Sequence, residues 1–324
     1  MISSSFKKSY CANINGQYNN VGVIVGFPKK VHKTSSDNFS FKGVQLQKLQ
    51  NIKKLDPADV LVVLAHPDDE VCFFGFIAKM IKQNKKTIQL VYATSGENGR
   101  DIRGLLPRHS SEMKDAREDE LKRALDKLGL KRDPVILELV DGKTRTPEIQ
   151  ETMLPSLQRI VQETKPKEIY SFTPEGITRH PDHIALAEIL PDVVYMHKKI
   201  SRQKTRLFNV GFPESNRRAL INAAKGTPGI GLFVKIIRSN QPIKPKFNIK
   251  NNIPTLIAAF REQTTQFTED TVKALESYFK KHPHIYVSEK KIGIPPRKNV
   301  YKFTEKHLKR IEELIGATKN KGGN

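Results

Sequence analysis

The chain has 324 residues, 37% of them hydrophobic, enough for a large buried core, and a formal net charge of +22. No apolar run approaches the roughly 20 residues of a membrane span; the longest early one, Val21 to Phe27, is far shorter. Two cysteines, Cys11 and Cys72, exclude a disulfide framework and a cysteine-type metal site.

Residues 1–55 carry a net +8 and lack sustained periodicity, so they read as a basic, weakly structured extension. The first 20 residues have no apolar segment after Lys7 and Lys8, unlike a secretory signal, and the cytoplasm is the expected compartment. From Asp56 strand and helix patterns alternate. Asp59 to Ala65 is a continuous apolar run of the kind that forms a buried parallel strand. A helix is predicted from about Asp69 to Gln83, with Cys72 as a small buried side chain, and a strand over Thr87 to Ala93. A Gly-containing loop, Thr94 to Arg100, leads by a polar connection to a helix over Ser111 to Leu128 that Gly129 stops. Strand Pro134 to Val140, helix Pro147 to Thr164 and strand Glu168 to Thr173 follow. Repeated βα units predict an α/β fold: a Rossmann-like, doubly wound, mostly parallel sheet with helices on both faces.

Residues 56–190 carry a net −3, and 191–324 a net +17. Leu207 to Phe212 can add a strand, whereas residues 213–253, rich in Pro, Gly and Lys, read as loop. Two helical stretches are predicted within Ile253 to Lys281 and a terminal helix over Phe303 to Ile315. The expected division is thus a catalytic core over 56–200, a C-terminal part over 201–316 that shapes the substrate site, and a frayed tail over 317–324. Basic flanks can bind phosphate, phospholipid or nucleic acid; a solvated lysine-rich surface is the plainer reading.

Two motifs carry chemistry. His66-Pro-Asp-Asp-Glu70 follows the first buried strand directly, where open α/β sheets build ligand sites. His66 and Asp69 can face one point and suit zinc, with Asp68 near enough to act on a water there. Acidic residues at a helix start also satisfy its dipole, but that does not account for His66. His180-Pro-Asp-His183 lies beyond another strand end and opens a helix. One of its histidines can complete a His-Asp-His ligand set, leaving the other for acid chemistry; residue type does not choose between them. The other histidines, His197 among them, sit in polar or basic stretches and read as solvent-facing.

Together the two motifs resemble the signatures of the LmbE-like, or PIG-L, N-deacetylase family. The similarity extends to Thr94-Ser-Gly-Glu97, to the run of Arg117, Glu120, Ala124, Leu128 and Gly129, and to Asp141-Gly142, in order over residues 56–200. The resemblance implies a hydrolase with His66, Asp69 and His183 as ligands to one zinc per chain, iron(II) being an alternative. It further implies Asp68 as general base and His180 as electrostatic helper. Asp182, within the same motif, can orient or charge-stabilise His180, as a carboxylate does for a working imidazole. The implied substrate is an N-acetylated sugar or glycoconjugate. Arg100, Asp101 and Arg103, which follow the Gly-containing loop, can hold sugar hydroxyls or an anionic aglycone, a solvated charge cluster being the alternative. An amidase acting on a larger amide such as a thiol conjugate is the alternative. A basic nucleic-acid- or membrane-surface-binding protein on this scaffold would be expected to have lost motif residues, and none is missing. The family's C-terminal His-x-Ser-Gln segment is unmatched: Phe260 to Gln266 is the nearest stretch, with Gln263 where the histidine would stand. Nothing in the sequence opposes a homo-oligomer.

Overall fold

A computed structural model describes residues 54–223 and 242–292. The extension 1–53, the helix expected over Phe303 to Ile315, the tail and the side chain of Cys72 lie outside the described residues. The elements run β1 (Val60–Leu64), α1 (Phe74–Lys82), β2 (Ile88–Tyr92), α2 (Ser111–Leu128), β3 (Val135–Ile136), α3 (Pro147–Thr164), β4 (Glu168–Phe172), α4 (Pro181–Ser201), β5 (Arg206–Gly211), α5 (Glu214–Ala223), β6 (Lys244–Asn248), α6 (Ile253–Arg261), α7 (Glu269–Lys281) and β7 (His284–Lys290).

The strands form one seven-stranded sheet in the order β3-β2-β1-β4-β5-β7-β6. Pairings from β3 to β5 are parallel, and β7 and β6 close one edge antiparallel. Every residue of β1 is buried, as a strand covered on both faces requires. β1 lies between β2 and β4, with Val62 opposite both Leu90 and Tyr170. The strand order therefore reverses between β1 and β4, and the crevice at their carboxyl ends is where this class of sheet binds ligands. Both motifs leave the sheet there.

Local chemistry explains the helix limits. The Ser110 hydroxyl accepts the Met113 amide at 3.0 Å to cap α2, and Gly129, at φ 80, ends it in the left-handed region. The C-terminal residues join the same core: Phe247 of β6 stacks on Phe76 of α1 at 5.1 Å, and Ile249 fills the space over Gly75. Among the described residues no helix is long and apolar enough to cross a membrane.

Five details differ from the sequence reading. The motif turn Asp69–Cys72 is a tight 3-10 turn ahead of α1, and β3 has two residues only. The stretch 213–253, read as loop, contains α5 and β6. α5 buries little beyond Asn216 and Leu220, and β6 buries only Phe247, so neither leaves an apolar pattern. β7 was not foreseen either. Finally, His197 is buried, not solvent-facing: it follows Leu190 and Val193 on the inner face of α4, and its Nε2 meets the Ser201 hydroxyl at 3.2 Å.

Candidate active site

The first motif turns back on itself at the end of β1. The Asp69 carboxylate accepts the amides of Ala65 (3.0 Å) and His66 (2.7 Å), which locks the turn. Asp68 pays for the tightness with φ 128, a region that non-glycine residues rarely adopt. The second motif starts α4, with His180 as N-cap and Pro181 in the first turn, which suits a residue lacking an amide hydrogen. Gly176, at φ 70, lies under that helix start; a Cβ there would come within 2.9 Å of the His183 Cβ. The carbonyl of Gly176 accepts the His183 Nδ1 hydrogen at 2.9 Å.

Three donor groups then face one another. His183 Nε2 lies 2.9 Å from Asp69 Oδ1 and 3.3 Å from His66 Nδ1, and His66 Nδ1 lies 3.5 Å from Asp69 Oδ2. The far nitrogen of each ring is engaged elsewhere. His66 Nε2 is 3.1 Å from both Asp182 Oδ2 and Asp141 Oδ1, and His183 Nδ1 has Gly176. Outer hydrogen bonds of this kind fix which nitrogen a histidine offers to a metal. Two inward imidazole nitrogens and a carboxylate form a donor set that fits zinc and leaves a coordination position open. His180 joins from the rim, its ring edge-on to His66 at 4.6 Å. Atoms of His66, His180 and His183 also converge, as do those of His66, Asp68 and Asp69, and His66 belongs to each group.

The charges are strongly coupled. Burial pushes the His66 imidazole down, but Asp69, Asp141 and Asp182 outweigh it and hold His66 well above its usual value. Burial pushes Asp69 up, and the two motif imidazoles overcome it, so its carboxyl stays well below the usual range. Burial, with Asp69 adding to it, leaves Asp68 above the usual range against the pull of Arg117. His180 is pushed down to about 4 by burial and by the neighbouring imidazoles, so it is neutral near pH 7.

Asp182 sits nearer His66 than His180. Its Oδ2 is 3.1 Å from His66 Nε2 and 3.9 Å from His180 Nδ1, while the Gly142 amide and the Thr144 amide and hydroxyl also donate to it. What reaches His180 is the Asp182 backbone amide, which donates to Nδ1 at 3.3 Å. The Asp101 carboxylate is buried and bonded within its own loop, to Arg103 Nε at 2.9 Å and to the amides of Arg103, Leu105 and Leu106. Arg103 also reaches the Thr264 hydroxyl, and Arg100 is exposed. The structure does not bring Asp101 or Arg103 into the His-Asp cluster.

Sequence reasoning gave no role to Arg117, Asp141 or Glu70. The Arg117 guanidinium is buried, with Nη2 2.8 Å from Asp68 Oδ2 and also bonded to the Pro67 carbonyl, and Nη1 on the Gly96 carbonyl. Gly96 and Gly99 make room for it: a Cβ on Gly99 would lie 2.3 Å from Nη1. The family resemblance includes Arg117 and Asp141 without giving them a role, and nothing near Arg117 in sequence points at Asp68. Glu70 is buried, with its carboxyl pushed up to about 7 by burial, and it accepts the Tyr92 hydroxyl and the Asp68 amide.

Residues 61–195 match the family model described as PIG-L: GlcNAc-PI de-N-acetylase. This segment is similar to the PIG-L family. The chain is 34% identical over 148 residues to a probable N-acetyl-alpha-D-glucosaminyl L-malate deacetylase 2 of Bacillus subtilis, covering 45% of this chain and 65% of that protein. A 1D-myo-inositol 2-acetamido-2-deoxy-alpha-D-glucopyranoside deacetylase of Corynebacterium urealyticum is 28% identical over 160 residues, 43% of this chain and 48% of its own. The chain thus matches less than two thirds of the length of either relative. In fold it is similar to the N,N'-diacetylchitobiose deacetylase of Pyrococcus horikoshii (TM-score 0.52, 16% identity, covering 85% of this chain and 100% of that one). It is similar also to GalB, a 4-carboxy-2-hydroxymuconate hydratase of Pseudomonas putida (TM-score 0.50, 16% identity, covering 75% and 99%). A hydratase among the likenesses means that the fold alone does not decide the reaction; the site must.

Proposed function

We propose that the chain is a zinc-dependent deacetylase that hydrolyses the acetamide of an N-acetylglucosamine-type sugar or conjugate. The observation that carries this reading is the meeting of His66 Nδ1, Asp69 and His183 Nε2, with Asp68 beside them. Those three residues would hold one zinc ion per chain, which when bound supplies a Lewis acid for the amide carbonyl and lowers the pKa of a water toward about 7.

The chain's own groups do the rest. Asp68 is the general base. Arg117 occupies its Oδ2, so Oδ1 is the atom that takes a proton from the attacking water. Arg117 also fixes the direction in which that carboxylate points. His180 is neutral and its Nδ1 accepts the Asp182 amide, so the ring hydrogen sits on Nε2. From there it can donate to the oxygen that becomes negative as the carbonyl is attacked. A neutral imidazole is a weak acid, which favours Asp68 as the group that returns the proton to the leaving amine. Asp182, through His66 Nε2, holds that ligand in its orientation.

The names of the two curated relatives support N-acetylglucosamine linked to malate or inositol as the substrate class. Exposed Arg100 is the remaining candidate of its loop for an anionic aglycone. A chain with two cysteines suits a reducing compartment such as the cytoplasm. The test is free-amine release from a panel of N-acetylglucosamine conjugates. Turnover by the wild type and none by Asp68→Asn supports the reading; no turnover on any conjugate sinks it.

A further inference from the structure

The family match ends at residue 195, yet a segment far beyond it is built into the turn that carries Asp68. Gln263, just after α6, is buried, and its Nε2 donates to Glu70 Oε2 at 3.2 Å across 193 positions of sequence. The same oxygen accepts the Asp68 backbone amide at 2.8 Å, while Glu70 Oε1 accepts the Tyr92 hydroxyl. In this orientation the Gln263 nitrogen meets the Glu70 oxygen, while its Oε1 is buried without a hydrogen-bond partner. Its neighbours are tied in as well. Thr264 and Thr265 hold the buried Glu120, one turn from Arg117 on α2, and Gln266 reaches the Arg100 carbonyl.

We propose that Gln263 is a positioning residue for the base: by fixing the Glu70 carboxylate it holds the backbone at Asp68 and so the aim of its side chain. The inference rests on the reading of Asp68 given above. Asp68 at φ 128 is not held by its own preference, so it depends on the hydrogen bonds around it. Glu70 makes one of these and Arg117 makes the other. A loosened Glu70 leaves the Asp68 side chain anchored and its backbone free to rotate. A displacement of about 1 Å at a reacting group can slow a reaction by about 100-fold.

The experiment compares wild type with Gln263→Leu, Gln263→Glu and the pair Gln263→Glu with Glu70→Gln, which exchanges carboxylate and amide. The readouts are kcat and KM for amine release, zinc content, and NMR exchange of the Asp68 amide hydrogen. For Gln263→Leu the expected result is kcat lower by roughly 10- to 100-fold, KM within about twofold, full zinc and faster exchange at Asp68. Gln263→Glu should be slower still, and adding Glu70→Gln should not recover the loss, because the amide nitrogen that answers the new carboxylate takes the place of the oxygen that accepts the Asp68 amide. Should Gln263→Leu not fold, Gln263→Met, which keeps the length and removes the donor, carries the comparison. Unchanged kcat, unchanged Asp68 exchange, or a rate loss that merely tracks zinc loss overturns the proposal. If the wild type releases no amine, the deacetylase reading fails, and exchange at Asp68 still decides whether Gln263 positions it.

Discussion

Nη2 of Arg117 lies 2.8 Å from Oδ2 of Asp68, and the guanidinium that makes this contact is almost wholly buried. A buried cation against one carboxylate oxygen leaves the other oxygen for chemistry. Asp68→Asn keeps the shape but removes the proton acceptor, and it should lower kcat by about 10²–10⁴-fold with zinc retained. Arg117→Gln should keep zinc too, with a smaller loss of kcat. Rates beside metal content check both; normal turnover in Asp68→Asn would move the base role elsewhere.

His180 and His183 belong to one motif but have different neighbours. His183 faces Asp69 and His66, whereas His180 meets His66 only edge-on and keeps a side chain that is 40% exposed. His183→Ala should therefore lose zinc. His180→Ala should keep it and react roughly 10²–10³-fold more slowly, as loss of one oxyanion donor does. Zinc loss in the second variant with retention in the first would mean that the roles are reversed.

Asp182 holds His66 Nε2 and is itself held by Gly142 and Thr144. Asp182→Asn should weaken zinc binding by about 10- to 100-fold, the range for outer partners of metal ligands. A competition titration with a chromophoric chelator measures this, and an unchanged Kd would argue against it.

The same histidine predicts a pH dependence. In metal-free protein its pKa is raised, so its contribution to stability is present below the unfolded value of about 6.5 and is lost as pH rises through the folded one. Zinc needs the Nδ1 lone pair and must displace a proton there. Zinc affinity should then tighten with rising pH by up to roughly tenfold per unit, while the metal-free protein loses stability. Affinity that is flat between about pH 6 and 8 would contradict it.

Asp101 offers a stability test away from the metal. Burial pushes its carboxyl up, but the Arg103 side chain and the Arg103 and Leu105 amides overcome this and hold it below the usual range. Its contribution is present above the unfolded value of about 3.9 and is lost as pH falls through the folded value. Asp101→Ala strands those amides and should destabilise by about 1–3 kcal/mol near neutral pH. The gap in Tm between the two proteins should shrink in acid; a constant gap would refute this account.

The parallel half of the sheet was legible because β1, β2 and β4 are buried on both faces and read as apolar runs. α2 and α3 were legible because Ser110, Gly129 and Pro147 mark their ends. The antiparallel edge was not. β6 is Lys-Pro-Lys-Phe-Asn, whose only buried residue is Phe247, and its place is set by stacking on Phe76, far away in sequence. In the site, residues adjacent within a motif could be listed from spacing alone. Contacts of Arg117 with Asp68, Asp182 with His66 and Gln263 with Glu70 join separate elements, and only the folded chain brings them together.

The most direct test is a single assay of one protein sample before and after zinc removal. The protein is stripped with a chelator, reconstituted with one equivalent of zinc, and offered an N-acetylglucosamine conjugate of malate or inositol. The account predicts no amine release from the stripped protein and restored release at one zinc per chain. Undiminished release from the stripped protein, or none from the zinc-loaded protein on either conjugate, would contradict it.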